Sequence, residues 1–343
     1  MFIVTIDSGT TNTRVRVCQG NAVIAEASGA VGVRDTAITG SQCALVEGVR
    51  SVLHQALSKA NVNVESDEMQ ILASGMITSN MGLCEIPHLS APVNRDDLAS
   101  GAVQKVLPEI IDHPIWFIPG VKNNVSKVDL SCCELMDVMR GEETETIGAI
   151  SLFDINGPAL IILPGSHSKF VKLDNHNHIV SSATTIAGEL LSVVTQNTIL
   201  ANSLDSQFTN NIDQEYLLKG AKLCQEVGLA RSCFSVRILD LFSQTTLNQR
   251  ANFLLGTILY SDILTIKNSQ ALAFEADSTI VICGKKILRQ GLEILIKEDE
   301  FFIGKIIAVD EDSSKPLSVI GAKLIAERIN ELKNQPTKQL AGE

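Results

Sequence analysis

Asp7-Ser8-Gly9-Thr10-Thr11-Asn12-Thr13-Arg14 sets a carboxylate at the end of an apolar run, follows it with glycine and small hydroxyl or amide residues, and closes on a cation. Backbone N–H groups and hydroxyls with little bulk around them suit phosphate oxygens. Asp7, at the strand end, suits a hydrated Mg2+ rather than the phosphate itself. A polar hairpin turn with an Asx bend would carry the same residues, so the block alone leaves both readings open. The pattern returns as Pro164-Gly165-Ser166-His167-Ser168-Lys169, and a third loop follows at Gly284, before a helical stretch. Three loops of this kind in one chain argue against accident.

Such loops need strands to aim them. Residues 2–6, 15–18 and 22–27 are short β-rich runs separated by the first loop and a Gly20-Asn21 turn, and residues 159–163, 170–173 and 178–182 repeat the arrangement. Two copies of one unusual hairpin predict two related domains facing each other across a cleft. Apolar spacing predicts helices over 41–60, 95–106, 186–201, 216–228, 248–266, 285–296 and 316–332, and strands over 69–73, 114–118, 279–283 and 303–309. The strand at 69–73 runs into Gly75-Met76-Ile77-Thr78-Ser79-Asn80-Met81-Gly82, and strand ends of α/β proteins are where ligands bind. The last ten residues are polar and are expected to fray.

At 343 residues the chain exceeds the roughly 250–300 at which single cores stop growing, so two domains are expected. The net charge of -11 excludes phosphate-backbone binding by the surface at large, so an anionic ligand must be met by local groups. No apolar run approaches the ~18 residues of a membrane span, and no basic-then-apolar leader opens the chain. A soluble, cytoplasmic protein is the expectation. The eight cysteines form no Cys-x-x-Cys pair, and adjacent Cys132-Cys133 are unsuited to bridging each other, which points to free thiols in a reducing compartment. His176-Asn177-His178 falls in a predicted turn and reads as surface rather than metal tract. Trp116 reads as a strand core residue.

With these blocks in hand, the chain resembles the 2-dehydro-3-deoxygalactonokinase family of the acetate and sugar kinase, Hsp70 and actin superfamily. The resemblance is carried by Asp7 to Arg14, by Gly75 to Gly82, by Ile118-Pro119-Gly120, by Met139-Arg140-Gly141-Glu142-Glu143-Thr144 and by Leu163 to Lys169. Gly188-Glu189-Leu190 and Phe234-Ser235-Val236-Arg237 continue it, and Met-Arg-Gly-Glu-Glu-Thr is its most family-specific part. Three positions depart. Ser8 and Phe170 stand where family members usually have Trp, and a single Gly284 precedes Lys285 where many superfamily members have two glycines.

The resemblance implies an α/β fold of two ribonuclease-H-like (actin-like ATPase) domains with a hinged cleft, at 1–136 and 137–315, with helix 316–332 packing back on the first. It implies transfer of the γ-phosphoryl group of ATP, with Mg2+, to the 6-hydroxyl of 2-dehydro-3-deoxy-D-galactonate in galactonate catabolism. Asp7 becomes the metal-water ligand. Gly9, Thr10, Thr11 and Asn12 line the phosphate path, opposite Gly165, Ser166, His167 and Ser168, with Gly284 on the nucleotide side. An acidic substrate needs a cation, and Arg14, Arg140 and Lys169 are the candidates, with Gly75, Ser79 and Asn80 for the sugar. Related sugar kinases often put an Asp where this chain has Ser168, so the general base is sought in Glu142, then Asp7 and Glu143. A kinase for another sugar, sugar acid or amino sugar is the alternative, then a non-kinase actin-like ATPase. The partners implied are ATP and a sugar acid, neither nucleic acid nor membrane, with a homodimer left open.

Overall fold

Strand β1 (Phe2–Ser8) is buried along most of its length, and every residue of β4 (Met69–Gly75) is buried. A strand covered on both faces reads as a continuous apolar run, and must lie mid-sheet. The computed structural model describes residues 1–20, 22–309 and 316–334 and places both strands so. Asn21 of the predicted turn and most of the last ten residues lie outside that description.

In chain order the first half holds β1, β2 (Thr13–Gln19), β3 (Ala22–Gly29), α1 (Val33–Thr39), α2 (Cys43–Lys59), β4, β5 (Leu89–Ser90), α3 (Arg95–Gly101), β6 (Val103–Leu107), β7 (Ile111–Phe117), β8 (Val121–Lys122) and β9 (Val138–Met139). The second half holds α4 (Glu142–Leu152), β10 (Ala159–Leu163), β11 (Ser168–Leu173), β12 (Ile179–Thr185), α5 (Ala187–Asn197), α6 (Gln214–Val227), α7 (Leu229–Phe242), α8 (Leu247–Asn268), β13 (Thr279–Ile282), α9 (Lys286–Glu298), β14 (Ile306–Ala308) and α10 (Leu317–Asn334).

The sheets run β3-β2-β1-β4-β7-β6 and β12-β11-β10-β13-β14, and β5, β8 and β9 form a small third sheet. In each large sheet two antiparallel hairpins lead into parallel strands: β1 pairs β2 antiparallel and β4 parallel, as β10 pairs β11 antiparallel and β13 parallel. The doubled hairpin is therefore a doubled sheet plan.

Three apolar cores fill the space. One lies between the first sheet and α2, with Val4, Ile6, Leu45, Val49 and Leu53 in it. Another lies between the second sheet and α5 to α9. The third draws on both sheets, joining Ile3 and Leu72 to Ile161 and Val171 through residues of α4 and α10 such as Ile147 and Ile325. Helix α10 contacts α4, α3, β1 and β4.

The helix predicted over 95–106 is a correction. Asn94 caps α3 by accepting from the Asp96 and Asp97 N–H groups, but the helix stops at Gly101 and β6 follows as an exposed edge strand on β7. Its Val103 and Val106 favour extended backbone. Helix α7 and short α1 are additions that the apolar spacing did not mark out.

Candidate active site

The loop between β1 and β2 closes with Gly9 N donating to Asn12 O at 2.9 Å, and the Ser8 and Thr13 hydroxyls meet at 2.8 Å beneath it. Asp7 is the cross-strand partner of Arg14 and, on the other side, of Ser74. Burial pushes the Asp7 carboxyl above its ordinary range, opposed first by Arg16 and then by Arg14. A recess of about 370 Å³ beside it is lined by Asp7, Gly9, Thr10, Thr11, Asn12 and Arg14 among others.

Two glycines bring the other acids to this place. Gly75 ends β4 at φ +90°, and a Cβ there would stand 2.6 Å from Ser8 O and 3.4 Å from Asp7 Oδ1. Gly141, at φ +112°, would put a Cβ 3.3 Å from Gly75 Cα. Both conformations suit only glycine, and the crowding leaves no room for a side chain. The turn carrying Arg140, Glu142 and Glu143 is thereby pressed against the end of β4, which itself lies against the end of β1.

The two adjacent glutamates then diverge. Glu143 is fully buried and takes the Gly141 N–H on both carboxyl oxygens at 2.9 and 2.8 Å. Burial, then the neighbouring Glu142, pushes its carboxyl up to about 8, so it is mostly neutral at pH 7. Glu142 accepts from Arg140 N at 3.0 Å and lines the main cavity. Its carboxyl is also raised by burial, and Lys169 is the largest opposing influence.

That cavity, of about 860 Å³, lies between Arg14 and Glu142 on one side and Gly165, Ser166, His167 and Gly284 on the other, with α5 and α8 as floor. Glu189 N donates to Ser166 O at 2.9 Å, which fixes the second loop on the first turn of α5. His167 Nε2 lies 3.0 Å from Glu189 Oε2. Lys285, Lys286, Phe208 and Thr209 complete the far end. The sequence reading missed these. Lys285 and Lys286 adjoin Gly284 and could have been found from it, whereas Phe208 and Thr209 sit in a loop without pattern.

The three candidate cations also divide. Arg140 donates from Nη1 to Thr78 O and Thr78 Oγ1, both at 2.7 Å, and from Nη2 to Ile86 O at 2.9 Å, so its head group holds the 76–88 loop. Lys169 is buried and donates to Val138 O at 2.7 Å and to Thr184 Oγ1, with Asp137 at 3.8 Å. Arg14 keeps 48% of its side chain exposed, lines both the recess and the main cavity, and pairs with Glu26 at 3.6 Å. Ser79 is likewise spent, donating to Met76 O at 2.7 Å, while Asn80 is exposed. Ser168 is 1% exposed and turned away from the cavity.

The eight cysteines are free, and among the described residues no group of three or more His, Cys, Asp and Glu is placed to hold a metal. A single hard carboxylate beside a phosphate-sized recess fits Mg2+ kept largely in its water shell and bound through phosphates. No helix among the described residues is long and apolar enough to cross a membrane.

Comparison with known proteins bears on this geometry. The model of the 2-keto-3-deoxy-galactonokinase family matches residues 7–301. A relative from Escherichia coli strain K12, named 2-dehydro-3-deoxygalactonokinase, is 24% identical over 265 residues, which is 77% of this chain and 80% of that one. A solved structure from Sinorhizobium meliloti, described provisionally as a 2-dehydro-3-deoxygalactonokinase, superposes with TM-score 0.73 at 23% identity and covers 95% of this chain and 99% of its own. The activator of 2-hydroxyisocaproyl-CoA dehydratase from Clostridium difficile, solved with bound ADPNP, superposes with TM-score 0.50 at 13% identity over 97% of each chain.

Proposed function

The chain belongs to the 2-keto-3-deoxy-galactonokinase family, and from that premise we propose that it transfers the γ-phosphoryl group of ATP to the 6-hydroxyl of 2-dehydro-3-deoxy-D-galactonate. It is an α/β protein of the two-domain actin-like ATPase architecture, a sugar-acid kinase by family. The observation that carries the reading is the meeting of Asp7, Arg14 and Glu142 with the second phosphate-type loop around one cleft.

Phosphoryl transfer asks for positioning and charge stabilisation more than covalent chemistry. The 860 Å³ cavity is of a size to take the nucleotide, its phosphates running between Gly165-Ser166-His167 and Gly9-Thr10-Thr11-Asn12. Asp7 would hold Mg2+ through its water shell beside the recess, and the ion would supply positive charge against the phosphates. Arg14 grips the substrate carboxylate, since Arg140 and Lys169 spend their charge inside the protein. Asn80 meets sugar hydroxyls. Glu142 accepts the proton of the attacking hydroxyl, a role in which a carboxyl raised by burial is a stronger base than an ordinary one. Residues 1–136 and 137–315 form the two bodies that close on substrate and exclude water.

A coupled assay with ATP and a panel of 2-keto-3-deoxy sugar acids and neutral hexoses tests this. Turnover confined to the acids, highest with the galactonate-derived one, is expected. Turnover on a neutral hexose and on no acid in the panel would refute it.

A further inference from the structure

A buried acid that this mechanism does not use lies behind the second loop. Asp262, on α8, has no exposed surface, and burial raises its carboxyl to about 6. Thr185 Oγ1 donates to its Oδ1 at 2.5 Å. Thr185 is the cross-strand partner of Ser168, and the two are the last residue of β12 and the first of β11. The Ser168 hydroxyl also favours the ionised carboxyl, although its Oγ and Asp262 Oδ2 fall outside ordinary hydrogen-bond geometry and neither has another partner. Two turns earlier, Leu254 and Leu255 of the same helix line the main cavity.

We infer that Asp262 is a positioning residue for nucleotide binding, bonded to Thr185 and facing Ser168, the cross-strand partner of Thr185, and so fixing the Gly165-Ser166-His167 loop and the start of α5 against the triphosphate. The inference rests on the kinase reading above. Its physical logic is that Ser168 follows the loop directly and only Ile186 separates Thr185 from α5, so one carboxylate stands behind both walls of the anion-facing turn. A buried acid costs free energy unless its partners satisfy it. Asn at this place keeps the acceptor for Thr185 but loses the charge, while Leu loses both.

The test is ADP binding by calorimetry, in Mg2+ buffer, for wild type, Asp262→Asn, Asp262→Leu and Thr185→Val, with KM for ATP and for the acid measured beside it. Expected are an ADP Kd raised about 3-fold in Asp262→Asn and 10-fold or more in Asp262→Leu, KM for ATP following, and KM for the acid within 2-fold of wild type. Should Asp262→Leu not fold, Thr185→Val carries the test, with at least a 3-fold rise expected. Wild-type ADP affinity in the folded variants, or equal losses for both substrates, overturns the inference and leaves the kinase reading standing. Absence of ADP binding by wild type overturns both.

Discussion

The two hairpins share a frame and divide the charge differently. Two residues before the loop glycine, the first hairpin pairs Asp7 with Arg14 and the second pairs Leu163 with Lys169. Arg14 stays half exposed at the cleft, whereas Lys169 is 4% exposed and tied to β9, the strand that leads into Glu142. The first loop is clasped by its own Ser8 and Thr13, the second through Asp262 from a helix. One sheet plan can thus present a hairpin's polar groups to ligand or spend them on holding the site's other parts. In this chain the cation paired with Asp7 stays at the cleft, and the cation paired with Leu163 is tied to partners inside.

If that division is right, the largest losses come from the first hairpin and the turn that it meets. Glu142→Gln should lower kcat by about 10²–10⁴-fold with ATP KM little changed, since it removes a general base and keeps the volume. A kcat within 3-fold of wild type would return the role to Asp7. Next, Arg14→Met should raise KM for the acid by about 10–100-fold, the order expected for a charge-assisted pair, and leave ATP KM near wild type. Equal loss on both substrates would place Arg14 on the phosphates instead.

Lys169→Met should act differently. With its cation gone, the Glu142 carboxyl rises further, so the acid limb of the kcat profile moves to higher pH, and Lys169→Arg restores it in part. Around Glu142 the charges to weigh are Lys169, Asp137, Arg140, Glu143, Glu145, Arg14 and Asp7. An unmoved profile with a large rise in acid KM would show Lys169 on the substrate.

The smallest effect concerns Glu143. Its folded pKa of about 8 lies above the ordinary 4.5, so between these pH values the folded state holds a proton that the unfolded state has released. Stability therefore falls as pH rises from 4.5 to 8 and levels beyond. Glu143→Gln should match wild type near pH 5 and exceed it near pH 9 by up to about 4 kcal/mol, measured by denaturant titration. A constant difference across that range would remove the buried neutral acid from the account.

Local patterns made much of this legible. The hairpins, β4 ending at Gly75 and the second-half helices α5, α6, α8, α9 and α10 show in alternation and glycine placement, because those signals are set by neighbours in sequence. The break between α3 and β6 did not show, since one apolar spacing served a helix and an edge strand alike. The fates of Arg140 and Lys169 were hidden for another reason: their partners, Thr78 and Val138, are 62 and 31 residues away. Asp262 left a mark that could have been read, a lone acid within the apolar stretch Leu259-Tyr260-Ser261-Asp262-Ile263-Leu264.

Phosphorus NMR of wild type with ATP, Mg2+ and 2-dehydro-3-deoxy-D-galactonate tests the central claim most directly. For a kinase of this acid, the γ-phosphate signal is replaced, mole for mole, by a primary phosphomonoester on C6. Release of the γ-phosphate only as inorganic phosphate, at a rate unaffected by the acid, would contradict it.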